Sequence, residues 1–309
     1  MTSIAITTGG ADALECPVRK LGVADTEFTG DTGAGAVHLY NGNGANQFAA
    51  GFPGGTGNFP SATPFWNSRA VLDTYDIVLL SCEGDQFTNT KPQTSLQAVH
   101  DYAGIGGRVF MSHWHNVWIG GDRLAPGGAY GLPDWKTIGT WNFAAPQDQN
   151  TTIASVDETV PKGMSFATWL MNVGTSTTRG QVPISGARYT LPGNDPTRSD
   201  RRVYLEPALS NNHVSVQDLQ FTTPNDVPAD QRCGKVVFSD SHVASGSTST
   251  AAVAFVGGCN TGDLTPQEKG EGARFHLLRY LVLCRGASVR TGQGLVCFRS
   301  GPRSDTIRL

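Results

Sequence analysis

Short unbroken apolar runs alternate along this chain with stretches whose apolar residues recur at helical spacing. That alternation predicts an α/β fold, a mainly parallel open sheet with helices on both faces. Ile4 to Thr7 reads as a short strand, followed by Gly9-Gly10 and by Leu14, Val18 and Leu21 at helical spacing, with Pro17 interrupting that helix. Ile77 to Leu80 is wholly apolar, as expected of a strand covered on both faces, and ends at Ser81-Cys82-Glu83-Gly84. Leu96, Val99 and Ala103 then share one helical face, Gly106-Gly107 stops the helix, and Val109-Phe110-Met111 starts the next strand. Lys235 to Phe238 predicts a further buried strand ending at Ser239-Asp240-Ser241-His242. A last helix is announced by Thr265-Pro266-Gln267-Glu268, where Thr265 caps, Pro266 fits the first helical position and Glu268 closes a capping box; Phe275, Leu278 and Val282 mark its buried face.

Between about residues 120 and 231 the periodicity gives way to Pro- and Gly-rich segments with scattered aromatics, which reads as a long loop-rich insertion in a single domain spanning residues 1–309. The Gly-rich stretch from Gly30 to Gly57 carries Phe48, Phe52 and Phe59 close by, so it reads as a loop packed by its own aromatics.

With 309 residues, 39% of them hydrophobic and 16% charged, the chain can bury a substantial core. The net charge of -3 and the lack of any basic cluster longer than Arg201-Arg202 exclude nucleic acid and anionic membranes as main partners. The apolar runs are too short to insert into a bilayer. Six cysteines form an even set without a CxxC pair, which favours disulfides over a zinc knuckle and hence a secreted or extracellular protein. Met1-Thr2-Ser3-Ile4 lacks a signal-type start, so secretion requires a signal already removed; a cytoplasmic location is the alternative. Cys233 with Cys259, bracketing His242, is the expected disulfide pair.

Tyr75-Asp76 before the run Ile77 to Leu80, Tyr102 before Gly106-Gly107, and Val109-Phe110-Met111-Ser112 leading to His113 follow one another in an order that resembles the ThuA-like branch of the class I glutamine amidotransferase-like fold. Gly234 to Phe238 with His242 is similar to a late strand of that family, and Asp157 to Gly163 resembles its His-Pro-x-x-x-Gly segment with the histidine missing. The match covers about half the chain, in separate pieces that share one order. It implies a flavodoxin-like open sheet and a carbohydrate-like small-molecule ligand. The segments Ala11 to Cys16 and Leu264 to Lys269 also resemble secreted domains of myxobacteria, which implies a compartment and no reaction.

In an open parallel sheet, ligands gather at the carboxyl ends of the strands. There this sequence offers Cys82-Glu83, His113-Trp114-His115 and Asp240-Ser241-His242. His113 stands where amidotransferases carry their cysteine, so amide hydrolysis through a thioester at that position is not available. Glu83, His113 and His242 are the candidate catalytic residues, and Trp114, His115 and Asp240 the candidate ligand-binding ones. An HxH pair on a strand projects both rings from one face, so His113 and His115, joined by His242, are candidate ligands for a divalent transition metal. The plainer reading makes Ser112 to Trp118 a packed corner with its histidines bonded to backbone. Cys82 reads as structural, because the neighbouring Glu83 carboxylate suppresses thiolate formation. Trp114, Trp118, Trp135 and Trp141 could stack on sugars or form a small core of their own. Two alternatives stand beside the carbohydrate reading: a non-catalytic surface module for protein assembly, and a serine-dependent hydrolase using Ser112 or Ser241, which lack the flanking glycines of a nucleophile elbow.

Overall fold

The computed structural model describes residues 2–145, 151–210, 212–243, 250, 252–259, 288–291 and 294–297. The helix expected after Thr265 lies outside them. Five strands come from the first part of the chain: β1 (Ile4–Thr8), β2 (Phe28–Thr29), β3 (Val37–Asn41), β4 (Ile77–Leu80) and β5 (Arg108–Ser112). Then follow β6 (Gly139–Thr140), β7 (Thr151–Val156), β8 (Gln181–Ser185), β9 (Gly193–Asn194), β10 (Asp200–Leu205), β11 (Ser215–Thr223) and β12 (Gly234–Ser239). All but β6 and β9 join one open ten-stranded sheet in the order β2-β3-β1-β4-β5-β12-β11-β10-β7-β8.

The apolar runs read from the sequence become neighbours. β1, β4, β5 and β12 pair successively in parallel, with Ile4 against Ile77, Val78 against Val109 and Phe238 against Met111. All four side chains of β4 are buried, because the sheet is covered on both faces. Burial of each such side chain contributes about 1.5–3 kcal/mol. On one face Ala5, Val78, Leu80, Val109, Met111 and Phe238 pack against α2 (Ala62–Trp66), α3 (Arg69–Leu72) and α4 (Gln93–Gly104). On the other, Ile6, Leu79, Phe110 and Val237 pack with α1 (Glu15–Lys20) and with Phe48, Phe52, Phe59 and Phe255. The Gly-rich segment is thus folded over its own aromatics, with Phe48 stacked on Phe52 at 5.4 Å. Pro17 is accommodated inside the short helix α1, near its start, where an amide donor has no intrahelical partner.

α4 buries the face that carries Leu96, Val99 and Ala103. Past its end, Gly106 has φ 119° while its amide bonds the Ala103 carbonyl, a conformation that favours glycine. Short helices α5 (Val117–Gly120) and α6 (Pro133–Lys136) follow β5, and α7 (Pro161–Asn172) packs on β7.

Residues 120–231 are more regular than their composition suggests. They supply β7, β8, β10 and β11, an antiparallel extension that joins the parallel half through β11 and β12. The sheet is therefore mixed.

The expected Cys233–Cys259 disulfide is corrected. Cys259 is bonded to Cys16, across a Cα separation of 5.2 Å. The reason is topological: Cys16 lies in α1, in the same apolar cluster as Phe255 and Cys259, whereas Cys233 precedes β12 at the opposite edge of the sheet. β12 itself carries the chain about 20 Å across the sheet. Cys233 is disulfide-bonded as well, and Cys82 is a buried free thiol. Among the described residues no helix is long and apolar enough to cross a membrane.

Candidate functional site

Because β4, β5 and β12 run parallel and adjacent, the residues just beyond their carboxyl ends meet. Cys82 follows β4, and its amide donates to the Ser112 Oγ at the end of β5 at 2.8 Å. Gly9 crosses above it so closely that a Cβ there would fall 2.2 Å from the Cys82 carbonyl oxygen. His113 turns off β5 with φ 37°, a left-handed conformation costly for a non-glycine residue and characteristic of functional corners. His242 closes the group from the β12 side, its ring 5.4 Å from that of His113.

The three donors converge. The Cys82 Sγ lies 3.5 Å from His113 Nδ1, and one donor atom each from Cys82, His113 and His242 falls within 4.8 Å of the others. A tetrahedral centre with Zn–S of about 2.3 Å and Zn–N of about 2.0–2.1 Å requires an S to N separation of roughly 3.5 Å. Among the described residues His242 Nε2 is buried and has no hydrogen-bond partner. Burial pushes the Cys82 thiol up to about 12 and holds His113 well below the usual histidine range, with the charges of His242 and Arg188 adding to the effect on His113. Burial also lowers His242, opposed by Asp12 and assisted by Arg188. Both imidazoles are therefore neutral at ordinary pH and retain lone pairs for a ligand.

The HxH expectation is corrected in one respect. His113 to Asn116 form a 3-10 turn, not a strand, so strand alternation does not set the direction of the two rings. His115 is turned away from the three-donor group. Its Nε2 donates to the Ser81 carbonyl at 2.7 Å, and its Nδ1 accepts from Trp118 Nε1 at 2.7 Å, which fixes a neutral tautomer and occupies both nitrogens.

Glu83 belongs to this second group. It is 4% exposed and ion-paired with Lys91, itself fully buried. Lys91 Nζ also donates to the Gln86 carbonyl at 3.0 Å and lies 4.9 Å from the Trp66 ring centroid. Burial drives the Glu83 carboxyl upward and the Lys91 ammonium downward, and their mutual attraction opposes both shifts. His115 Nε2 stands 3.9 Å from the Glu83 carboxylate. Glu83, His113, His115 and His242 thus share a sheet edge but divide into two groups.

Asp240 is buried and accepts from the Thr190 amide at 2.9 Å and the Thr190 hydroxyl at 2.5 Å. Burial raises its pKa to about 7. Ser112 and Ser241 are both fully buried, the former engaged by Cys82, an arrangement unsuited to a serine nucleophile. Trp118 and Trp135 are core residues, 1% and 0% exposed, and cannot stack on a sugar. Trp114 is half-buried beside His113, at a ring separation of 4.6 Å, with the Arg123 guanidinium 5.5 Å from its centroid.

Two solved structures align with most of the chain. One is a ThuA-like protein from Bacteroides uniformis, 10% identical with a TM-score of 0.43, the alignment covering 92% of this chain and 91% of that one. The other is a cytoplasmic protein from Salmonella typhimurium, 12% identical with a TM-score of 0.39, covering 89% and 98% respectively. No family model matches the sequence, and no curated protein does.

Three participants escape a reading of the sequence by motif: Cys82 as a donor, Asp12 and Arg188. Cys82 carries the same signal that singled out Glu83, its position just past a buried strand. Asp12 reaches the site by accepting from the Val243 amide at 3.1 Å, a contact across nearly the whole chain that no local pattern announces.

Proposed function

We propose that this chain is an extracellular small-molecule-handling domain whose Cys82, His113 and His242 hold a divalent transition-metal ion of the zinc type, with a carbohydrate-like ligand bound beside it. The observation that carries the reading is the convergence of one sulfur and two imidazole donors within 4.8 Å. A metal ion that displaces the Cys82 proton would meet one thiolate and two neutral imidazoles, a donor set suited to zinc, and three protein ligands leave a fourth position open for water or ligand. When bound, the ion would supply Lewis acidity to an oxygen in that position. The chain's own residues do the rest: Ser112 orients the Cys82 backbone, the Trp114 ring offers an aromatic face at the rim, and Arg188 adds positive charge. The disulfide between Cys16 and Cys259 supports the extracellular location.

Metal analysis of the full chain, purified without a histidine tag and exposed to zinc, tests the proposal. About one zinc per chain is expected, with occupancy lost in His113→Ala and His242→Ala while the circular dichroism spectrum is retained. Protein that takes up neither zinc, copper nor manganese would transfer the assignment to a non-catalytic assembly module.

A further inference from the structure

Arg188 occupies the turn that separates β8 from β9, between two residues that touch the site. Gly186 lies against His242, where a Cβ would stand 3.9 Å from Nδ1, and Thr190 clamps Asp240 through its amide and hydroxyl. The Arg188 carbonyl accepts from Gln217 Nε2 at 2.5 Å, which fixes the backbone of the turn against β11. The Arg188 backbone is accordingly held at the carboxyl edge of the sheet, between contacts to His242 and Asp240. The guanidinium charge reaches Cys82, His113, His242 and Asp240 electrostatically.

Among the described residues Arg188 forms no ion pair, and its Nε is buried without a hydrogen-bond partner. Arg198 and Arg202 also carry a buried Nε without a partner, but each ion-pairs a carboxylate through Nη2, Arg198 with Asp226 at 3.0 Å and Arg202 with Asp200 at 3.5 Å. Asp240, the acidic side chain clamped by this turn, accepts from Thr190 at both its oxygens. A buried donor left without an acceptor is costly, and a bound oxyanion removes that cost.

We infer that Arg188 is the docking point for the carboxylate group of a small molecule bound next to the Cys82, His113 and His242 donors. The planar guanidinium fork matches a carboxylate through paired N–H···O bonds. The Asp12 carboxylate at the same edge disfavours a second negative charge on the ligand, which favours a carboxylate over a doubly charged phosphate. The inference deepens the proposed small-molecule function and rests on its placement of the ligand at this edge. It narrows the ligand to one that carries a carboxylate, as a sugar acid does.

Calorimetric titration of the full chain with acetate, gluconate, glucose and inorganic phosphate tests it, with zinc content measured on the same samples. Acetate and gluconate should saturate the wild-type protein, and Arg188→Gln should weaken both by about tenfold or more while the unfolding midpoint holds. Arg188→Lys keeps the charge without the fork and should lie between the two, which guards against a Gln variant that fails to fold. Carboxylate binding unchanged in both variants, no saturable carboxylate binding by wild type, or a preference for phosphate or glucose would each overturn the inference. A metal-free protein that still binds carboxylate through Arg188 would remove the metal centre and leave this inference standing. Zinc-loaded protein blind to carboxylates would do the reverse.

Discussion

Replacing Lys91 by Met tests whether the buried Glu83 carboxylate is held ionised by a single partner. The ammonium and carboxylate are 0% and 4% exposed, so neither can turn to water when the other is removed. Losing one member of a buried pair costs about 3–5 kcal/mol. An independent bound comes from the alternative open to Glu83, which is to take up a proton. Neutralising a carboxyl of ordinary pKa about 4.3 at about pH 7 costs roughly 3.7 kcal/mol, at about 1.36 kcal/mol per unit, and that caps the electrostatic part of the loss. Lys91→Met should therefore unfold about 3–4 kcal/mol more easily near neutrality, as read by urea denaturation. The sign of the pH dependence follows from the raised carboxyl. A carboxyl raised in the folded state is penalised above its folded pKa and unpenalised below its unfolded one, so the deficit should shrink on acidification toward about pH 4.3. The double variant Glu83→Gln/Lys91→Met should recover much of the loss, because no charge then remains buried. A deficit under about 1 kcal/mol at neutral pH, or one that does not fall with pH, would refute the reasoning.

Two further outcomes follow from contacts elsewhere. His100 bonds Asp134 at 2.8 Å and Asp101 at 3.2 Å; burial alone would lower it, but these bonds prevail and raise it, while Asp134, which burial would raise, is held low by His100. The tie between α4 and α6 should thus be strongest between the two pKa values, lost as pH rises through that of His100 or falls through that of Asp134, and His100→Gln should abolish this dependence in unfolding measured from about pH 4 to about pH 9. The Cys16–Cys259 disulfide closes a loop with a sequence separation of 243. Removing it by a Cys16→Ser/Cys259→Ser pair should lower stability by up to about 5 kcal/mol in the chain-entropy view, and an unchanged urea midpoint would show that the reduced chain keeps its ends together.

The fold was legible where the chemistry of burial is simple. β4 and β12 lie in the doubly covered part of the sheet and read as unbroken apolar runs, and a parallel arrangement follows from the helix between β4 and β5. The antiparallel extension was not legible for an equally physical reason. β11, Ser215 to Thr223, buries Gln217, Asp218 and Gln220, and β8 and β10 are only partly covered, so polar residues occupy positions that a pattern of apolar burial would leave to loops. The apolar residues of these strands, such as Val182, Ile184, Val203 and Leu205 packed under α7, are too interspersed with polar ones to read as unbroken runs, and ladder pairing completes the sheet. The candidate site divides along the same line. The rule that residues just beyond buried parallel strands line the ligand edge selects His113, His242 and Glu83, and it selects Cys82 equally well once the thiol is judged by its neighbours in space instead of by Glu83 beside it in sequence. It cannot select Arg188. That residue reaches the edge only because the antiparallel extension turns back toward the parallel half, with Thr190 tied to Asp240. The parallel strands thus supply the soft and neutral donors, and the extension supplies the cation. A ligand of the proposed kind, spanning both, would read the junction between the two halves of the sheet, a contact that neither half encodes on its own.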